Sequence, residues 1–391
     1  MSRGAALLRL FEAQAPAAVG LLRDLVALDS PTADKAAVDR LAARVARELR
    51  DASAAVTLVP QVGAGDALQA VFATAGEGAA APPPDPRPAL LLGHLDTVWP
   101  AGEAARRPFA VAGGCATGPG VYDMKAGIVL CVLLARAIRD GAVRPCLPVA
   151  LFLSGDEETG SPCSRPHLES AARRSRYVLG LEPCNPDGGA KTVRKGVGRI
   201  VLEVTGVPAH AGIDPERGVN AIEELAAQIL AIKLLQDAAA GISVHAGLLS
   251  GGVAKNVVAP AARAEFDVRV PDPAAWTRIE TAVLSLRPRH PRARLSVRAA
   301  LTHPPMVRTD AVAALLERAR QAAAEVGFTL HEGGTGGGSD GSYCAALGVP
   351  VLDGLGVEGA GAHAADERVR IDRIAPRAAF LARLLEITPG P

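Results

Sequence analysis

Apolar residues recur at helical spacing where the chain begins. Ala6, Leu7, Leu10 and Phe11 are followed by Leu21, Leu22, Leu25 and Val26, and residues 37–49 repeat the pattern with Arg and Glu opposite. Residues 1–50 are therefore predicted to be helical. Short, wholly apolar runs follow at 89–92, 149–153 and 177–181, each of a length that suits a buried strand. Residues 124–139 are apolar almost all round and predict a buried helix. Residues 76–88, rich in Gly, Ala and Pro, predict a surface loop. Strands and helices that alternate in this way predict a largely parallel or mixed sheet, covered on both faces.

The middle of the chain has a different rhythm. Residues 199–205 alternate as a half-exposed strand, and 220–236 form an amphipathic helix with Ile222, Leu225, Ile229 and Leu230 on one face. Strands are predicted at 242–249 and 262–270, a helix at 273–286 and a last strand at 293–297. The order β-α-β-β-α-β is that of a ferredoxin-like layer. After Pro304-Pro305, a helix at 312–326 and a strand at 349–352 resume the first style. The expected fold is an α/β catalytic domain with a mixed sheet, residues 1–195 and 305–391. It is interrupted by an inserted ferredoxin-like α+β domain, residues 196–304.

Composition narrows the function classes. The chain has 391 residues, a formal net charge of +1 and only 3% aromatics. That leaves no basic footprint and little stacking surface for nucleic acid. The longest strongly apolar run, 126–135, is too short to span a bilayer, and the N-terminus lacks a secretory apolar region of the usual length. The expectation is a soluble cytoplasmic protein that binds neither membrane nor nucleic acid. Six cysteines occur, none spaced as C-x-x-C, and buried free thiols are expected.

Metal-binding side chains gather near predicted strand ends. His94 and Asp96, two apart after a buried strand, share a face in extended geometry. Asp123 follows a Gly-rich turn and precedes the buried helix; alone it reads as an N-cap. Asp156, Glu157 and Glu158 stand directly after a strand, where three acids are costly unless something positive balances them. Glu182 closes another strand, and His363 lies on a Gly-rich loop. Each has a bland reading as a turn, cap or solvated residue. Together, two His and three carboxylates form a nitrogen and oxygen donor set that suits zinc. Paired zinc ions polarise a carbonyl and activate water, and an unligated acid can take the proton.

The runs GHLDTVWP, GPGVYDMKAG, SGDEETGS, LEP, TGGGSD and GAHAADE resemble, in order and spacing, the M20 metallopeptidases, and within them the glutamate carboxypeptidase branch. The resemblance covers nearly the whole chain. It implies metal ligands at His94, Asp123, Glu158, Glu182 and His363, with Asp123 bridging two zinc ions per subunit. Cobalt or manganese suits the same donors. It further implies Glu157 as general base, Asp96 as the acid that orients His94, and a cis peptide bond at Asp123–Met124.

The same resemblance assigns roles in the insertion. His210 polarises the scissile carbonyl, Asn256 contacts substrate, and Arg269 grips the substrate carboxylate through its planar fork. Gly338 belongs to a backbone wall near that carboxylate. Without the family context Arg269 reads as a sheet-surface salt bridge, and His210 as a turn residue. The implied activity is hydrolysis of an amide bond beside a C-terminal amino acid carboxylate, in a small peptide, with water activated between the zinc ions. His303 stands where glutamate-cleaving relatives carry an Arg, so strict glutamate preference is not expected. N-acyl or N-carbamoyl amino acids are the alternative substrates on the same fold, and a binding protein without turnover the remaining alternative. A homodimer is expected, paired through a helix and an edge strand of the insertion, with His210 acting in the neighbouring subunit.

Overall fold

In the computed structural model, which describes residues 2–72 and 87–389, the N-terminal periodicity becomes two helices, Arg3–Val26 and Lys35–Asp51. Ser2 and Asp34 cap them, each accepting a backbone N–H three residues on. The helix Arg3–Val26 is long and apolar enough to cross a membrane by length and composition. Here its Leu7, Phe11, Leu21, Leu22 and Leu25 are buried in the main core, beside helices Ala126–Arg139 and Ile374–Ile387. Most of the predicted loop at 76–88 lies outside the described residues.

The chain forms two compact units. One comprises residues 1–193, 308–334 and 339–391, the other 194–307 with 335–338. Gly338 was expected in the catalytic domain but groups with the insertion, because the Arg194 guanidinium donates to the Gly337 and Gly338 carbonyls at 3.1 and 2.9 Å.

The first unit is built on a six-stranded mixed sheet, in the order Ala55–Val59, Ala67–Val71, Val149–Ser154, Ala89–His94, Tyr177–Gly180, Val351–Leu352. The last four strands are mutually parallel, and Ala67–Val71 is antiparallel to both of its neighbours. The parallel strands read as continuous apolar runs because they are buried throughout. Their carboxyl ends lie along one edge, the place where open α/β sheets present ligand sites. Helix Ala126–Arg139 starts two residues later than the apolar run suggests. Asp123 and Met124 have non-helical backbones (φ −115°, ψ 93° and φ −133°, ψ 38°), and the bond between them is cis, as expected. The buried-thiol expectation holds for Cys131, Cys184 and Cys344; Cys146 is exposed, with Cys115 and Cys163 half-buried.

The insertion has the expected order. Its antiparallel sheet runs Ser243–Gly251, Ala261–Val270, Gly196–Thr205, Arg294–His303. Helices Ala221–Lys233 and Pro273–Leu284 close its own core, which includes Ile200, Leu225, Phe266, Trp276 and Ile279. The last strand extends well past the predicted 293–297, to His303.

Candidate di-metal centre

Three adjacent parallel strands deliver side chains to the carboxyl edge of the sheet. His94 is the last residue of Ala89–His94 and is buried. Glu157 and Glu158 follow Val149–Ser154 on a short 3₁₀ turn, and Glu182 follows Tyr177–Gly180. Asp123 comes from the irregular turn before helix Ala126–Arg139. His363 comes from the loop after strand Gly359–Ala360, with a left-handed backbone (φ 62°) that is uncommon for a residue with a side chain.

The five candidate ligands converge. His94 Nε2 lies 3.1 Å from Asp123 Oδ1 and 3.6 Å from Glu182 Oε1. His363 Nε2 lies 3.4 Å from Asp123 Oδ2 and 3.1 Å from Glu158 Oε2. Ligand atoms of His94, Asp123 and Glu158 fall within 4.8 Å of one another. Asp123 thus turns one oxygen to His94, on the Glu182 side, and the other to His363, on the Glu158 side. That is the arrangement of a carboxylate shared by two cations.

The electrostatics fit such a pair. Four carboxylates, those of Asp123, Glu157, Glu158 and Glu182, share the space with two imidazoles. Burial, and then the Glu182 charge, push the Glu157 carboxyl well above its ordinary range. Hydrogen bonds to Asp123 and Glu158 push His363 up to about 10. Burial disfavours protonation of His94, yet its bonds to Asp123 and Asp96 outweigh burial and raise its pKa well above the usual value. Glu158 Oε1 is buried without a hydrogen-bond partner among the described residues. A buried excess of carboxylate with an unsatisfied oxygen fits divalent cations.

Around the ligands lies a supporting layer. Asp96 is buried beside His94, as the expected role requires, and it has further partners. The close acceptor for His94 Nδ1 is the Asp96 carbonyl at 2.9 Å, while the carboxylate is 3.5 Å away. That carboxylate also accepts the backbone N–H groups of Glu157 and Glu158, both at 3.1 Å, and the Thr32 hydroxyl at 2.7 Å. Asp96 therefore holds the acidic turn as well as the histidine.

Residues 90–387 match the profile of peptidase family M20/M25/M40. The chain belongs to this family. It is 30% identical to carboxypeptidase G2 of Pseudomonas sp. (strain RS-16) over 95% of this chain and 89% of that one. It is 29% identical to succinyl-diaminopimelate desuccinylase of Methylocella silvestris, over 94% and 97%. A solved Bacillus subtilis protein, described as a dinuclear metal binding peptidase from the M20 family, superposes with a TM-score of 0.69 at 16% identity, covering 96% and 98%. As an M20 peptidase family member the chain is a hydrolase, and the family fold is a mixed α/β layer with a dimerisation-type insertion.

Two acids of this M20 centre had no role assigned from the sequence. Glu367 is buried and accepts four N–H groups: backbone Gly120, Tyr122 and Asp123 at 2.9, 2.9 and 3.0 Å, and the Trp99 indole at 2.8 Å. It ties the loop of His363 to the turn of Asp123. Asp340 is buried and accepts the hydroxyls of Ser154 and Ser161, each at 2.5 Å. These serines bracket the acidic turn, so one carboxylate pins both of its ends; burial pushes that carboxyl up to about 6. The sequence signal for both was an acid closing a Gly-rich run, which a solvated loop gives equally.

The insertion holds the other candidates. His210 is exposed, and its Nδ1 accepts the Gly212 N–H at 3.1 Å, which leaves the ring proton on Nε2. Asn256 is its neighbour: the Asn256 carbonyl accepts the Ala211 N–H at 3.0 Å. Arg269 does form the sheet-surface salt bridge, with Asp267, and also donates to the Gly336 carbonyl at 3.0 Å.

Proposed function

We propose that this M20 hydrolase cleaves an amide bond next to a free α-carboxylate, in the manner of a carboxypeptidase, with two zinc ions as the first choice of metal. The observation that supports it most is the convergence of His94, Asp123, Glu158, Glu182 and His363 around a shared carboxylate. Bound there, the cations would polarise the scissile carbonyl and lower the pKa of a water molecule. Glu157, unligated and held by Asp96, moves the proton from that water to the departing amine nitrogen. His210 Nε2–H donates to the carbonyl oxygen as charge develops on it. Arg269 takes the substrate carboxylate. The relatives' names span a carboxypeptidase and a desuccinylase, so N-acyl amino acids are the second reading.

The geometry inside the insertion favours a homodimer. Arg269 pairs with Val197 at one end of the sheet, and Thr205, the other end of that strand, leads towards His210. Eight residues of strand, about 26 Å, separate those ends. A substrate's α-carboxylate and scissile carbonyl lie only about one Cα step, about 3.8 Å, apart. This separation supports a reading in which the two groups reach one substrate from two copies. The edge strand Ser243–Gly251 and helix Ala221–Lys233 expose Leu248, Leu249, Leu230 and Leu234, an apolar face fit for two-fold pairing.

The test compares kcat/KM for dipeptides, N-acyl amino acids and N-carbamoyl amino acids after metal loading. Hydrolysis confined to substrates with a free α-carboxylate, lost with chelator and restored by Zn²⁺ or Co²⁺, is expected. Turnover that persists in metal-free protein would overturn the reading.

A further inference from the structure

The face of the insertion sheet opposite its helices is a lattice of charges. Along Ala261–Val270 the buried positions alternate with Arg263, Glu265, Asp267 and Arg269. The neighbours pair across strands: Arg199 with Glu265 at 2.9 Å, Arg263 with Glu203 at 2.7 Å, Arg298 with Glu203 at 3.0 Å. Arg263 also donates to Glu265, two residues on along its own strand, and Arg269 likewise turns along its strand. Its Nε and Nη2 donate to the two oxygens of Asp267, two residues back on its own strand, both at 2.8 Å. Its Nη1 donates to the Gly336 carbonyl at 3.0 Å. A guanidinium has five N–H donors in one plane. These bonds engage three, and leave one N–H on Nη1 and one on Nη2.

We infer that Asp267 is a positioning residue for substrate recognition, which fixes the plane of the Arg269 fork so that its two remaining N–H groups receive the substrate α-carboxylate. This rests on the proposed role of Arg269. A long side chain that is only partly buried loses rotamer freedom when it binds. Asp267 and the Gly336 carbonyl impose that order before substrate arrives, and binding is tighter for it. The pair is also neutral as a unit. Recognition then depends on the direction of two N–H bonds, which a planar monocarboxylate matches, more than on net positive charge. The Gly336 contact sets Arg269 apart from the other arginines of this face, since it anchors the fork to the Gly-rich segment 335–338.

The experiment uses the metal-loaded full chain carrying Asp267→Asn, Asp267→Ala, Asp267→Glu or Arg269→Ala. Each is assayed on one good substrate and on its analogue with a carboxamide in place of the α-carboxylate. Asp267→Asn and Asp267→Ala are expected to raise KM for the carboxylate substrate about tenfold or more, with kcat within about threefold, a loss of binding that ground and transition states share. The carboxamide analogue should change less than about twofold, and Asp267→Glu should recover part of the loss. Thermal midpoint and metal content near those of the parent exclude a folding defect. Unchanged KM in Asp267→Asn and Asp267→Ala, alongside a raised KM in Arg269→Ala, overturns the inference and leaves the role of Arg269 standing. A lowered KM in Asp267→Asn overturns it too, since Asp267 would then compete with substrate for the fork. Unchanged KM in Arg269→Ala defeats the proposed role of Arg269 itself.

Discussion

Glu157 is held in place by groups other than its own carboxylate. Its backbone N–H is fixed by Asp96, and the turn that carries it is pinned at both ends by Asp340. The carboxylate is thereby left for chemistry. Replacing it with alanine removes a proton carrier and keeps the five candidate ligands. Glu157→Ala should lower kcat by roughly 10²–10⁴-fold, with two metal ions per chain still measured by elemental analysis. Full activity, or loss of metal in step with activity, would count against a general-base role. At the same scale, Glu367 satisfies four N–H groups at once. A buried donor left unpaired costs about 1–3 kcal/mol. Glu367→Ala should therefore lower the unfolding midpoint clearly and weaken metal retention, as Asp123 loses its backbone anchor. The neighbouring Asp366→Ala, which removes an exposed pair with Arg368, should stay within about 0.5 kcal/mol of the parent. Equal midpoints for the two variants would contradict this account of Glu367.

At the scale of elements, legibility followed burial. The strands Ala89–His94, Val149–Ser154 and Tyr177–Gly180 could be read from sequence because both faces are covered and each opens on a run of apolar residues. Most helices and strands of the insertion could be read because one face is wet and the other dry, as along Ala261–Val270; Ser243–Gly251 is exposed from His245 onwards. The strands Ala55–Val59 and Ala67–Val71 were not anticipated, although both belong to the central sheet. The first is half-exposed along its whole length, so its AVTLV carries no clean alternation. Helix Ile374–Ile387 has ten buried positions out of fourteen, too many for an amphipathic stripe. The candidate metal donors that the structure brings together were legible as a set, because acids and histidines at the ends of apolar strands need a common reason. Their supports were not. Asp96 was expected beside His94 and its carboxylate does lie there, but that it also accepts two backbone amides is decided only by the chain's path at Glu157 and Glu158. The left-handed backbone of His363 is likewise set by the loop around it.

Considered whole, the molecule should work as a pair. His210→Ala and Glu157→Ala dimers are each expected to be nearly inactive. If subunits exchange after mixing, a statistical share of heterodimers carries one site with both groups intact. Recovered activity near a quarter of the parent value is the expected ceiling for free exchange, since half the dimers are mixed and half of their sites intact. No recovery despite exchange shown by mass-tagged subunits, or full activity in a monomer by light scattering, would rule out action across the interface.

The way the insertion joins the chain has a consequence for modularity. Arg194, where it is entered, is bridged to Met306, where it is left, by backbone hydrogen bonds in both directions at 3.1 and 3.0 Å. The first and last strands then run antiparallel side by side, with Val197 opposite His303. The two stems stand one strand spacing apart, like the two sides of a hairpin. A short turn should therefore close the gap if residues 196–304 are excised, because the loop-closure cost of so small a span is slight. The shortened chain should retain the donor set of His94, Asp123, Glu158, Glu182 and His363 and take up metal, while losing His210, Asn256 and Arg269 together with turnover. On the proposed function, such a chain would be a metal-holding scaffold without its substrate reader, and readers of different specificity could be exchanged at the seam between Arg194 and Met306.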